Sequence, residues 1–434
     1  MVNHRIIRIV VGCAAAALMS TVLLVAGFFA GQQEHVTTGT VLLVFAASLA
    51  LLSTLSSRSA AMPQRWAGTL ALALGLAGAG LVAFSPSERV IDALGWIWPP
   101  LLLAVVARTA VRVRRDLPGR ARSWVVYPML GVLAMSALGG GYETVSAAHD
   151  RRVFPAPGEL IDIGGYRLHL LCRGSGSPTV ILESGLGETG DYWGWISNAI
   201  APETKVCTYD RAGRGWSDAA PGPQDGIAVA RDLHVLLERA HVSGPFVLVG
   251  HSSGAQYVRT FAGRYPEQLA GMVLLDGQPA EVFERLPIFP TFYSIFRRVY
   301  PLLPSLARVG VARLMYHPAT LPAPFGDRHR VSHSSPRLYR STSDEFAELP
   351  AAMRQARACQ SLGDRPLVVV TATVDAEVGW LPLQDELVTL STNSSHRVVA
   401  HTHEQLITDP TAALVSTEAI RDVVRAVRSG VRLK

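Results

Sequence analysis

The stretch FVLVGHSSGAQYVRTF, from Phe246 to Phe261, sets four apolar residues against a cluster of small ones and then breaks into helical spacing. Gly250, Ser252 and Gly254 crowd the end of what reads as a buried strand. Such spacing fits a backbone that turns sharply to present a serine hydroxyl, with glycine two positions to either side because a larger side chain would collide there. Ser252 is therefore the expected nucleophile.

A serine hydroxyl is weakly nucleophilic near neutral pH. It needs a base within hydrogen-bond reach and a carboxylate behind that base to hold its tautomer. With an elbow of this kind the order along the chain is Ser, acid, His. The stretch VVAHTHEQLITDP offers His401 and His403 as base. His403 is favoured because it lies further into the loop, whereas His401 closes a strand. His251, beside the nucleophile, is expected to shape the site. For the acid, Asp375 in the loop TATVDAE is favoured, since it follows the strand LVVVT at the sheet edge where sites assemble. Asp276, which closes the strand MVLLD, is the alternative, and Glu377 is a distant third. A tetrahedral intermediate also calls for two backbone donors: the amide of Ser253, and that of Leu186 in the loop SGLGETG, where Gly185 and Gly187 let the backbone come close.

Around these segments, short apolar runs alternate with helical patterns from Glu159 onward, which argues for strand and crossover-helix units in a mostly parallel sheet. Strands are expected at 159–163, 167–172, 179–183, 205–209, 246–249, 271–275, 367–371 and 397–400, and helices at 226–240, 253–265 and 411–428. The rhythm stops over 277–365, an insertion rich in proline and aromatics. Within it Phe292, Phe296, Val299 and Leu303 recur at helical spacing with Arg297 and Arg298 opposite. That pattern suits a cap helix over a pocket or one resting on a membrane.

The first third of the chain has another character. Ile9 to Gly31 runs for 23 residues without a charge, about 34 Å as a helix and enough to cross a hydrocarbon core of about 30 Å. Comparable runs cover 36–57, 66–85 and 124–142, and a shorter one, 93–107, is broken by Pro99 and Pro100. A cleaved signal peptide is disfavoured by the length of the first run and the spans that follow. Arginines mark the cytoplasmic loops: Arg5 and Arg8, then Arg58 and Arg65, then Arg108, Arg112, Arg114, Arg115, Arg120 and Arg122. The alternation puts everything after the last span on the extracytoplasmic side. The net charge of +6 is mostly this topology signal, and no interleaving of aromatic and basic residues argues for nucleic acid. The expected organisation is a transmembrane region over 1–145, a polar linker over 146–157 and a domain over 158–434. Four cysteines match no zinc spacing. Cys172 and Cys207 read either as one bridge between neighbouring strands or as two buried thiols.

Taken together, ESGLGETGDYW, YDRAGRGWSD, VGHSSGA, TATVD and HTHEQLITDP resemble, in that order, the segments of the α/β-hydrolase fold superfamily, of the serine esterase and lipase type with G-H-S-x-G. The sequence departs from the family where Ala372 replaces a common glycine of the acid loop and Ser184 a common histidine before the oxyanion glycine. The resemblance implies an eight-stranded, mostly parallel α/β-hydrolase sheet with a helical cap insertion, preceded by about five transmembrane helices. It also implies a structural turn at Asp210 and Arg211, and cofactor-free hydrolysis of an ester or related acyl bond. A serine nucleophile sets the chain apart from dehalogenase and epoxide hydrolase relatives, which use aspartate there. Membrane runs and an apolar insertion point to a small, lipophilic ester as substrate and to membrane lipid as a partner. The alternative is a catalytically silent hydrolase-like domain that binds a ligand or partner.

Overall fold

Short apolar runs buried on both faces build one part of this chain, and long uncharged helices build the other. The computed structural model of the protein describes residues 2–59, 63–117, 122–374 and 376–433; Arg120 and Asp375 lie outside the described residues. Two compact units result, one of Met1–Arg152, Ile295–Met315 and Ser334–Arg340, the other of Val153–Ser294, Tyr316–His333 and Ser341–Lys434.

The first unit is built on the helices α1 (Val2–Gly27), α2 (Glu34–Ser59), α3 (Arg65–Phe84), the short α4 (Glu88–Leu94), α5 (Trp98–Asp116) and α6 (Tyr127–Val153). Four are long and apolar enough to cross a membrane, and a fifth span results if α4 and α5, bent by 45°, count as one. Glycine lets α2 and α3 pack backbone to backbone: a methyl group on Gly78 would stand 2.7 Å from the Gly39 carbonyl oxygen. Two stretches of the insertion belong to this unit and dock by charge. Arg308 pairs with Glu34 and, at 3.2 Å, with Asp92; Arg313 reaches Glu143 at 2.6 Å and Asp150 at 2.7 Å; Arg337 reaches Glu88 at 3.1 Å. The single helix expected through Phe292, Phe296, Val299 and Leu303 is interrupted. An α-helix over Phe289–Val299 gives way to a tight turn at Tyr300–Leu302, and a new helix starts at Leu303. Pro301 is the cause, since it has no N–H to continue the ladder and its ring clashes with the preceding turn.

The second unit holds an eight-stranded sheet in the order β1-β2-β4-β3-β5-β6-β7-β8. Its strands are β1 (Glu159–Asp162), β2 (Arg167–Arg173), β3 (Thr179–Glu183), β4 (Val206–Asp210), β5 (Phe246–His251), β6 (Leu269–Leu275), β7 (Leu367–Ala372) and β8 (Ser394–Val399). From β4 to β8 the pairing is parallel, while β1 and β2 are antiparallel to their neighbours. Alternation along β5 and β6 feeds two cores. Phe246, Leu248, Met272 and Leu274 face one side with Leu233 and Leu236 of α7 (Gly226–Arg239) and Val258 and Phe261 of α8 (Gly254–Arg264). Val247, Val249, Val273 and Leu275 face the other with Ile420 and Val423 of α9 (Ala412–Ser429). Both faces of the central strands are covered, which is why they read as continuous apolar runs. Asp409 caps the start of α9 by accepting from the Thr411 and Ala412 amides. Cys172 and Cys207 stand opposite each other on β2 and β4 and are disulfide-bonded; of the two readings left open above, the bridge is the one observed.

Candidate active site

β5 ends at His251, and the chain enters the left-handed region at Ser252, with φ of 54°. A non-glycine residue there is uncommon and persists only where its surroundings fix it. The Ser252 amide donates to the Leu275 carbonyl at 3.2 Å, and its own carbonyl accepts from Ala255 at 3.1 Å and Gln278 at 2.8 Å. The flanking glycines are required by space. A methyl group on Gly250 would meet the Ala255 nitrogen at 2.8 Å, and one on Gly254 the Glu183 carbonyl oxygen at 2.5 Å.

His251 lies opposite Leu275 in the parallel register of β5 and β6, so Ser252 and Asp276 each stand one residue beyond adjacent strand ends. Asp276 is also held in the left-handed region, with φ of 42°. Its Oδ1 accepts from the Ala372 amide at 3.2 Å and from Trp380 Nε1 at 2.8 Å. Its Oδ2 stands 2.6 Å from Nδ1 of His403. An ionised carboxylate only accepts, so Nδ1 carries the proton and Nε2 is left as a base. Asp276 is buried, while the His403 side chain is 43% exposed. The carboxylate found against His403 is thus Asp276; Asp375, favoured on sequence, is outside the described residues. His401 is tied into the backbone at the end of β8, its amide donating to Val399 and its carbonyl accepting from Val374.

Both expected oxyanion donors have definable surroundings. Ser253 is buried and immediately precedes α8, where the first amides of a helix lack intrahelical acceptors. Leu186 lies in the loop after β3, which closes on the elbow: a methyl group on Gly185 would come within 2.9 Å of Ser252 Cβ. The Gly185 carbonyl is held by Arg211 at 2.7 Å and Arg214 at 2.9 Å, and Arg214 also holds the Glu188 carbonyl at 3.1 Å. In a trans peptide the carbonyl and the following N–H point in opposite directions. The Leu186 amide is therefore turned away from the two guanidinium groups. Glu183 and Glu345, both buried, compensate the charge of the arginines. Asp210 accepts from the Gly190 and Trp216 amides and pairs with His169, as a structural turn requires.

Glu188 and Trp380 were not singled out from sequence. Glu188 accepts from the Gly185 amide and stands 2.8 Å from Nδ1 of His251. A lone carboxylate amid the small residues of SGLGETG was the signal that could have found it. Burial of the His251 imidazole pulls its pKa down, but the Glu188 carboxylate, together with the His403 carbonyl and Asp276, holds it above the ordinary histidine value. Burial pushes the Glu188 carboxyl up, and His251, together with the Gly185 amide and His403, holds it below the usual range. Nothing in the local pattern marks Trp380.

Residues 178–306 match the family model described as the alpha/beta hydrolase fold. The chain is 32% identical over 149 residues to "Probable transporter efuK" of Hormonema carpetanum, covering 32% of this chain and 21% of that protein. It is 29% identical over 189 residues to an uncharacterized protein of Schizosaccharomyces pombe, covering 37% of this chain and 34% of that one. The chain thus spans about a third or less of these relatives' length. Among solved structures, DBJA superimposes with a TM-score of 0.51 at 15% identity, covering 62% of this chain and 99% of that one. The sheet-containing part of this chain accordingly has the α/β-hydrolase fold, and helices apolar enough to cross a membrane precede it.

Proposed function

We propose that the chain is a membrane-anchored serine hydrolase that cleaves an ester or related acyl bond of a lipophilic substrate through an acyl-enzyme, with its hydrolase domain over 158–434. Ser252 Oγ attacks the acyl carbon and gives its proton to Nε2 of His403. Asp276 holds the imidazole in the required tautomer and offsets its developing charge, while the amides of Ser253 and Leu186 receive the oxyanion. His403 then returns the proton to the leaving alcohol, and water, activated by the same imidazole, releases the acid. The observation that carries this reading is the 2.6 Å contact of His403 Nδ1 with Asp276 Oδ2, one strand over from a serine held in the left-handed conformation. Val374, Val378 and Leu381 are exposed apolar residues near in sequence to Trp380, the residue that holds Asp276, and favour an apolar acyl group.

The experiment is turnover of aryl esters of graded acyl-chain length by the full chain in detergent. Rising kcat/KM with chain length over the first several carbons is expected. Absence of turnover across the panel by folded protein would leave the ligand-binding alternative.

We infer that the hydrolase domain lies on the extracytoplasmic side. The arginine alternation supports this, as does the bridge between Cys172 and Cys207, a bond that persists in oxidising compartments. Protease added to intact cells is expected to remove the C-terminal domain and spare the first helices; protection of that domain would reverse the assignment.

A further inference from the structure

We propose that Glu188 and His251 form a buried charged clasp that positions the oxyanion loop, the elbow and the histidine loop against one another. The inference rests on the hydrolase reading above. Glu188 is buried in the loop after β3, where Oε2 accepts from the Gly185 amide and Oε1 faces His251 Nδ1 at 2.8 Å. His251 is wholly buried in the elbow, and its Nε2 lies 3.1 Å from the backbone carbonyl of His403. The two imidazole rings stand 4.5 Å apart, centroid to centroid.

Hydrogen-bond roles set the charge state. A carbonyl oxygen only accepts, so Nε2 of His251 carries a proton. An ionised carboxylate only accepts, so Nδ1 carries one as well, and the ring is an imidazolium. Among the described residues, the charged and titratable groups acting on it are Glu188, Asp276 and His403. Burial disfavours the cation, and Glu188, with help from the His403 carbonyl and Asp276, overrides that penalty. A neutral His251 would have one N–H and could hold either Glu188 or the His403 loop, not both. One ion pair thereby spans the segments that carry the oxyanion donor, the nucleophile and the base, without itself touching the reacting atoms in the mechanism above. Both members are positioning residues.

The test uses the full chain in detergent and three variants: Glu188→Gln, His251→Gln and the double. Glu188→Gln keeps the size and an acceptor for Gly185 while removing the charge that sustains the imidazolium. Covalent modification of Ser252 by a fluorophosphonate, followed over a concentration series, separates the maximal rate from the half-saturating concentration. Each single variant is expected to lose about ten- to a hundredfold in maximal rate, the scale of a misplacement near 1 Å, with half-saturation moved by under about threefold. The double variant is expected to be no slower than the slower single, because both remove one device. Glu188→Asp, which retains charge on a shorter arm, is expected to keep more of the rate than Glu188→Gln, and it decides the matter if the other variants do not fold. Wild-type maximal rates in folded variants, losses in half-saturation alone, or losses that multiply in the double would overturn the clasp. Wild-type labelling at Ser252 persists in each of those cases; its absence would instead sink the hydrolase reading beneath it.

Discussion

Replacing Ser252 with alanine is expected to lower ester turnover by about 10⁴- to 10⁶-fold. The loss falls on kcat because the hydroxyl is the attacking group, and no other side chain occupies that point of the elbow. Little else should change. The contacts that fix residue 252 are made by its backbone, to Leu275, Ala255 and Gln278, and alanine occupies the left-handed region at a cost similar to serine's, of order 1 kcal/mol. The melting temperature of the variant should stay close to wild type. What turnover persists reports the two backbone donors and binding alone. A variant with near wild-type kcat would remove Ser252 from the chemistry.

Asp276→Asn is expected to lower kcat by about 10⁴-fold, whereas Asp375→Asn should leave it within a few-fold. The geometry gives the reason. Oδ1 of Asp276 accepts from two donors, the Ala372 amide and Trp380 Nε1, so an asparagine there must keep its carbonyl oxygen toward them. Its NH₂ group then faces Nδ1 of His403. That nitrogen must become the acceptor, the proton moves to Nε2, and the base is lost. Steady-state kinetics of the two variants side by side separate the candidates; a large loss in Asp375→Asn with little in Asp276→Asn would reassign the acid.

Much of the fold was legible because its signals are local. Gly250 and Gly254 mark a turn that only a small residue fits, and the continuous apolar strands FVLV and MVLLD need cover on both faces. The long apolar helices were legible from uncharged length. Chain connectivity within the insertion was less so: the spacing of Phe292 to Leu303 is helical, and only Pro301 warns that it breaks. The site divides in the same way. Ser252 stands out by its glycines and His403 by its place after the last strand. The choice between Asp276 and Asp375 turns on which strand end brings a carboxylate to the imidazole, a matter of three-dimensional register that the sequence leaves open. Glu188 was harder still, since its role follows from contacts across 63 positions to His251, and its neighbours in sequence are turn-forming residues.

The most direct test of the central claim is reaction of the full-length protein with a fluorophosphonate probe, followed by peptide mapping of the adduct. Modification confined to Ser252, and greatly slowed in His403→Ala, is the result this account predicts. Folded protein that stays unmodified at Ser252, or is modified equally fast without His403, would contradict it.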